Sequence, residues 1–281
     1  MTVKRVMLIT PLHPERAAAA VATASEAARA AGVQLVSTVD EHQKHVDAAT
    51  HIERVADGER PDICLVLGGD GSILYALRHF AHTGVPVFGI NFGTIGFLAA
   101  VEREDLANGL ERVFSGDFEV LDLPGLTVDL PLDHRTALND VSFLRQPRGR
   151  VAQLSYTIGD EEVGSVRCDG LVAATPAGST GYNLANSGPI LAWGVKGYVV
   201  SFIAPHTLAA RALVVGPDDA LIVRNAAGRE PVEISLDGAP AGVLEPGAER
   251  EMRFEESVSK LAQLPGSNFY HRIRQKFGKL A

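Results

Sequence analysis

Cysteine is scarce in this chain: two in 281 residues, Cys64 and Cys168. So low a count excludes a disulfide-stapled secreted scaffold and suits a reducing compartment, so a cytoplasmic protein is expected. Cys64 lies in an apolar run and is expected to be a small buried hydrophobe. Positive charge is also in short supply. Lys and Arg number 26 against 34 Asp and Glu, a formal net charge of -8. No global basic field therefore draws in nucleic acid or an anionic membrane. A phosphate ligand would have to be held locally, by backbone amides, a few placed Arg or Lys, or a divalent cation. No apolar stretch is long enough to span a bilayer as a helix. The nearest, Ala17 to Ala31, is broken by Thr, Ser, Glu and Arg and reads as an amphipathic helix. Met1-Thr2-Val3-Lys4-Arg5-Val6 opens no long apolar core with a small-residue cleavage site, so no secretory leader is expected. Two nucleotide-binding signatures are missing as well. No Gly-x-x-x-x-Gly-Lys-Ser/Thr occurs, which excludes a P-loop nucleotidase, and no Gly-x-Gly-x-x-Gly opens a helix, which excludes a standard hydride-transfer Rossmann domain.

What is present is ordinary globular chemistry: 46% hydrophobic and 21% charged residues, with length enough for one large domain or two modest ones. The first part alternates. Val6 to Ile9 reads as a strand, and His13-Pro14-Glu15 starts an Ala-rich helix that Gly32 stops. Val33 to Val36 reads as a second strand, and the polar segment Glu41 to Ala56 as a helix. Ile63-Cys64-Leu65-Val66-Leu67 is apolar on both faces, as in a central parallel strand. A helix from Ile73 to His82, capped by Ser72, is expected next. A buried strand over Val85 to Ile90 and a helix over Arg103 to Phe114 complete a βαβα rhythm.

From about Leu121 the texture changes to short strand-like runs separated by Gly, Pro and Asp. Examples are Leu126 to Leu130, Thr136 to Leu144, Gln153 to Ile158, Gly197 to Ile203, Ala220 to Val223 and Val232 to Leu236. The expected architecture is an α/β domain with a Rossmann-like open sheet over 1–120, followed by an all-β, sandwich-like domain over 121–264. The aromatic and basic tail, 265–281, is expected to be helical and to pack back on the first domain.

Four segments carry chemistry. Gly68-Gly69-Asp70-Gly71-Ser72 follows a buried strand and precedes a helix, and ligands of open parallel sheets bind beyond the carboxyl ends of strands. Glycines admit a phosphate closely, and a helix N-terminus offers N–H groups to it. Asp70 could accept a proton from an attacking hydroxyl or help hold Mg²⁺; a plain Asp-Gly turn is the competing explanation. Asn91 to Leu98 is a second glycine loop at the same sheet edge, where Phe97 could wall an aromatic base. Asp169 to Asn183 runs from an apolar strand into a loop of hydroxyls and glycines suited to ribose and phosphate oxygens. Asn139-Asp140 alternates within a strand, one side chain to each face. His42, His45 and His51 lack a companion carboxylate cluster. A solvated helix face explains them better than a metal site. Arg167 and Arg211 could each meet a phosphate or serve a surface ion pair.

Together these residues resemble the NAD kinases. The resemblance rests on Gly68 to Gly71, Asn91 to Leu98, Ala137 to Asp140, Asp169 to Tyr182, Ser187 to Ile190, Pro205 to Leu208 and the tail Phe269 to Gly278, in that order, and covers most of the chain from Asp62. A lone Gly-Gly-Asp-Gly is shared with related lipid kinases; the Thr-Pro-x-Gly-Ser-Thr-x-Tyr stretch with Asn-Asp is far more specific. The resemblance implies phosphoryl transfer from ATP or polyphosphate to the adenosine 2′-hydroxyl of NAD, giving NADP. It implies a site between the two domains, Mg²⁺ carried by the nucleotide phosphates, and no metal held by the protein alone. Asp70 matches the catalytic aspartate, and Gly71 and Phe97 match positions lining the adenosine region; Gly68, Gly69, Gly71 and Ser72 are expected at the donor phosphates. Phe97, Asn139, Asp140, Arg167, Asp169, Thr180, Gly181, Tyr182 and Ala185 fall at dinucleotide-binding positions. Part of the Thr180 to Tyr182 loop is expected to reach dinucleotide on a neighbouring subunit of a homodimer or homotetramer. Asp140 stands where Glu is usual, Ala177 and Gly181 where Thr or Ser and Ala are usual, and Ala185 where a serine is common, so NAD against NADH is left open. Two other readings stay open at this point: a dinucleotide-binding sensor without turnover, and a kinase for another hydroxyl such as a lipid's.

Overall fold

The computed structural model describes residues 2–11, 13–45, 51–56, 58–93, 96–130, 134–147, 149–226 and 230–278. The chain divides into two compact units. One comprises Met1–Asp122 with Ser259–Ala281, the other Leu123–Val258.

The first unit is built on β1 (Arg5–Ile9), β2 (Gln34–Thr38), β3 (Ile52–Val55), β4 (Ile63–Gly68) and β5 (Pro86–Asn91). They pair in parallel in the order β3-β2-β1-β4-β5, and Lys260 to Ala262 adds a further parallel strand beyond β5. Its helices are α1 (Ala18–Ala31), α2 (Val39–Gln43), α3 (Asp70–His79), α4 (Leu106–Ser115) and the terminal Phe269–Phe277. Every residue of β4 and β5 is buried, as two-sided helix cover requires. Val6, Leu8, Leu65, Leu67, Phe88 and Ile90 share one core with Val21 and Ala24 of α1 and Leu110 and Val113 of α4. The winding reverses between β1 and β4. That switch point sets Thr10 and the Gly68-Gly69-Asp70 turn at neighbouring strand ends.

Two local expectations are corrected here. The expected helix over Glu41 to Ala56 is α2 and then the strand β3; residues 46–50 lie outside the described residues. Parallel pairing of Ile52–Val55 with Leu35–Thr38 overrides the helical preference of a polar stretch. His45 is not on a solvated face. It is buried, its Nε2 lies 2.7 Å from Thr10 Oγ1, and burial above all lowers its pKa.

The second unit is antiparallel throughout its described pairings. Six strands order as Leu213–Val215, Tyr198–Ile203, Gly170–Ala174, Asp140–Arg145, Val232–Leu236 and Ala239–Leu244. Another set pairs Glu161–Cys168 with Ala152–Ile158, then Leu221–Asn225, then Glu249 to Met252. Period-two alternation explains the packing. Leu171, Ala173, Tyr198 and Val200 meet Leu154, Tyr156, Leu221 and Val223 in the core shared by the two sets. Val172, Ala174 and Val199 face the other way, onto Leu191. The expected α/β open-sheet domain and sandwich-like β domain are both present.

Candidate active site

The site residues fall into two groups, one in each unit. In the first, α3 begins one residue after β4, so Asp70 occupies the first helical position and Gly69 is the N-cap. Ser72 is therefore not the cap that was expected but a residue of the first turn. It packs so tightly under the strand end that a Cβ on Gly68 would lie 2.7 Å from the Ser72 side chain. Gly71 faces open space, with no atom within 4 Å of where its Cβ would be. The first turn is the favourable end of the helix dipole for a carboxylate.

Asp70 is gripped by the loop after β5. Its Oδ2 accepts the Phe97 N–H at 2.7 Å and its Oδ1 the Leu98 N–H at 3.1 Å. A side chain at Gly96 would meet Oδ1 at 2.8 Å, so only glycine permits this approach. Burial raises the Asp70 pKa, against the Phe97 and Leu98 hydrogen bonds and the positive charges of Lys276 and Arg272. Each oxygen keeps a lone pair for a further donor. A raised but hydrogen-bonded carboxylate at a strand end is suited to accept a proton from a hydroxyl. Asn91 orders the start of the loop: its Oδ1 accepts the Gly93 N–H at 2.9 Å and its Nδ2 donates to Glu102 at 2.6 Å. Thr94 and Ile95 of the expected second glycine loop lie outside the described residues. The Phe97 ring is not an open wall; it is buried 5.3 Å from the Phe277 ring.

In the second unit, the run expected as one strand over Thr136 to Leu144 breaks at Leu138-Asn139, which bend between His134–Ala137 and Asp140–Arg145. Asp237, at φ 50°, causes the break. Its carboxylate accepts the N–H groups of Leu138 at 3.1 Å, Asn139 at 2.7 Å and Asp140 at 3.2 Å. Asp140 is buried beside it, and burial together with the Asp237 charge pushes its pKa up to about 7. The Asn139 carbonyl accepts the Thr175 N–H at 2.9 Å. That crossing is close enough that any Cβ on Gly178 would collide with the same carbonyl.

The hydroxyls of the Asp169 to Asn183 segment, expected to suit ribose and phosphate oxygens, are partly engaged within the protein. Thr175 donates to the Leu138 carbonyl at 2.6 Å and Ser179 to the Pro176 carbonyl at 2.7 Å, both fully buried. A short loop cannot leave its carbonyls unmet in a core, and these hydroxyls meet them. Thr180 Oγ1 donates to the Ala177 carbonyl at 3.2 Å. Gly181, Tyr182 and Ala185 are exposed. Tyr182 feels burial first and then the charges of Asp140 and Asp169, all raising its pKa, so these three side chains lie in one electrostatic neighbourhood. Arg167 is exposed and is not one of those charges. Asp169 is instead held by Arg145, Nε to Oδ1 at 2.6 Å and Nη2 to Oδ2 at 3.3 Å.

Residues 15–118 match the family model described as the ATP-NAD kinase N-terminal domain, and residues 138–264 the ATP-NAD kinase C-terminal domain. A curated relative from Symbiobacterium thermophilum named NAD kinase is 39% identical over 220 residues, 76% of this chain and 78% of its own length. The chain belongs to the NAD kinase family. Its fold is also that of the yeast NADH kinase solved with NADH, at a TM-score of 0.88 and 20% identity over 100% of this chain and 89% of that one. An NAD kinase from Archaeoglobus fulgidus solved with ATP gives 0.69 at 21% identity, covering 98% of each chain. Among the residues that surround the positions expected from the NAD kinase resemblance, Asp237, Arg145 and Arg272 were not singled out from sequence. Asp237 lies in an Asp-Gly pair that reads as an ordinary hairpin turn, and Arg272 lies in the tail, with no local signal of what it reaches.

Proposed function

We propose that this member of the NAD kinase family transfers the terminal phosphoryl group of ATP to the adenosine 2′-hydroxyl of NAD, forming NADP. The observation that carries the assignment of roles is Asp70, a half-buried carboxylate fixed by two amide donors at the carboxyl end of a buried parallel strand. Asp70 takes the 2′-hydroxyl proton as the oxygen attacks the terminal phosphorus of ATP in line, and the bond to the β-phosphate oxygen breaks to release ADP. Gly68, Gly69, Gly71 and Ser72, with the N–H groups of Asp70 and Gly71 at the start of α3, serve the donor phosphates. In the second unit Asn139, Asp140, Asp169, Thr180, Gly181 and Tyr182 hold the dinucleotide, with Ala185 leaving room at the nicotinamide end; Phe97 is assigned to the dinucleotide as well. Arg167, exposed two residues before Asp169, is assigned to the dinucleotide as well.

No group of three or more His, Cys, Asp or Glu side chains suited to a metal ion occurs among the described residues. The NAD kinase resemblance assigns the divalent cation to the nucleotide substrate, as Mg·ATP. No described helix is long and apolar enough to cross a membrane. A cytoplasmic homodimer or homotetramer is proposed, in which the exposed Gly181 and Tyr182 approach dinucleotide on a neighbouring subunit. The exposed Tyr182, in the field of the Asp140 and Asp169 carboxylates, favours a polar dinucleotide over a lipid acceptor. The test is a matrix of phosphorylation rates with ATP, other triphosphates and polyphosphate as donors, and NAD, NADH and a diacylglycerol as acceptors. NADP formed from ATP and NAD supports the assignment. NAD binding with no turnover from any donor would favour the sensor, and lipid phosphorylation without NADP would overturn it.

A further inference from the structure

We propose that Arg272 of the terminal helix is a positioning residue for Asp70, holding the Phe97–Ala99 segment by its carbonyls so that its amides stay fixed on the Asp70 carboxylate. This role rests on the reading of Asp70 as the base. Arg272 is buried, an expensive place for a guanidinium unless its donors are met. Its two terminal nitrogens are met, one by that segment and the other by Gln263 and Ser267. Nη1 donates to the Phe97 carbonyl at 2.8 Å and also to the Ala99 carbonyl. Nη2 donates to Gln263 Oε1, and to Ser267 Oγ at 3.2 Å. Gln263 Nε2 in turn donates to the remaining carbonyl, that of Leu98, at 2.9 Å. All three carbonyls of the segment are thus held from the tail side, while the amides of Phe97 and Leu98 are spent on Asp70.

A planar fork can bridge two carbonyls of one loop; an ammonium is a single point and cannot hold the same pair rigidly. A cation on the carbonyl side of a peptide also polarises the N–H on its other side, strengthening the bond to Asp70. The charged groups that act on Asp70 are Arg272 and Lys276, both on the terminal helix. Glu102 stands beside them, bonded to Lys276 Nζ at 2.9 Å and to Asn91. The site charges repay Arg272 only in part: burial pulls its own pKa down to about 10, while Asp70 and Glu102 push it up. The terminal helix thereby becomes part of the catalytic apparatus without touching substrate.

The experiment compares Arg272→Met, Arg272→Lys and the wild type, with Asp70→Asn as the reference, in full kinetics across pH on the whole chain. Arg272→Met is expected to lower kcat about 30-fold, as a slight misplacement of the base would. The KM values for NAD and ATP should stay within about threefold, and the acid limb of kcat should move to higher pH as Asp70 loses a neighbouring cation. Arg272→Lys should keep the wild-type acid limb, with kcat between the other two. A purely structural Arg272 would lower the melting temperature and leave kcat per folded enzyme and the acid limb unchanged, which would overturn the proposal. Should Arg272→Met fail to fold, wild-type kcat in Arg272→Lys overturns it equally. If Asp70→Asn retains the wild-type rate, the base assignment falls by a separate result.

Discussion

Asp70 in the first unit and Asp140 in the second are both raised by burial, yet what stands beside them differs in sign. Asp70 is answered by two amide donors and by the charges of Lys276 and Arg272. Asp140 faces another carboxylate, Asp237, and its pKa reaches about 7. The first arrangement keeps a carboxylate available to take a proton. The second favours a carboxyl that retains its proton toward neutral pH and can donate a hydrogen bond. The two acids therefore differ in protonation preference, in keeping with the roles proposed for them, Asp70 as base and Asp140 in holding the dinucleotide. The neighbours set that difference.

The sharpest way to break this comparison is to neutralise each acid in turn. Asp70→Asn should lower kcat by about a thousandfold, the upper range for loss of a general base, with KM for NAD nearly unchanged. Asp237→Ala should act on the other side. Three backbone N–H groups lose their acceptor, so a urea titration should show a loss of about 2–4 kcal/mol, accompanied by a raised KM for NAD. If kcat fell instead and stability held, the division of labour would be wrong.

The pH dependence of stability sharpens the comparison further. Asp140 has a folded pKa above its unfolded value. Its contribution to stability is therefore fully present below pH 4 and is lost as pH rises toward 7, at up to about 1.4 kcal/mol per unit of difference. Asp140→Asn removes that titration. Its urea midpoint should fall less than the wild type's between pH 5 and pH 8, and an equal slope in the two proteins would refute the raised Asp140. The smallest expected effect is at Arg145, whose ion pair with Asp169 is partly exposed. Arg145→Met should leave the melting temperature unchanged and raise KM for NAD about threefold, because exposed pairs stabilise little but can orient a ligand group.

Much of this was legible in the chain. The buried run Ile63 to Leu67, the turn after it and the helix stop at Gly32 are local signals, and they place Asp70 at a strand end. The alternating apolar runs after Leu121 likewise announced a β sandwich. The misreadings share one physical origin: a partner that the local sequence does not name. Ile52–Val55 is polar on its own and becomes a strand by pairing with β2. The bend at Leu138-Asn139 is set by Asp237, nearly a hundred residues on. The hydroxyls of Thr175 and Ser179 looked free for a ligand because their backbone acceptors have no signature in sequence. Arg272 was hidden for the same reason, since two of the groups it holds are carbonyls of Phe97 and Ala99.

Calorimetric titration of NAD into the Asp70→Asn protein, paired with its rate of NADP formation from ATP, tests the role of Asp70 most directly. NAD affinity within about twofold of wild type, with turnover reduced about a thousandfold, is the predicted result. Near-wild-type turnover would contradict it, as would loss of NAD binding in step with loss of rate.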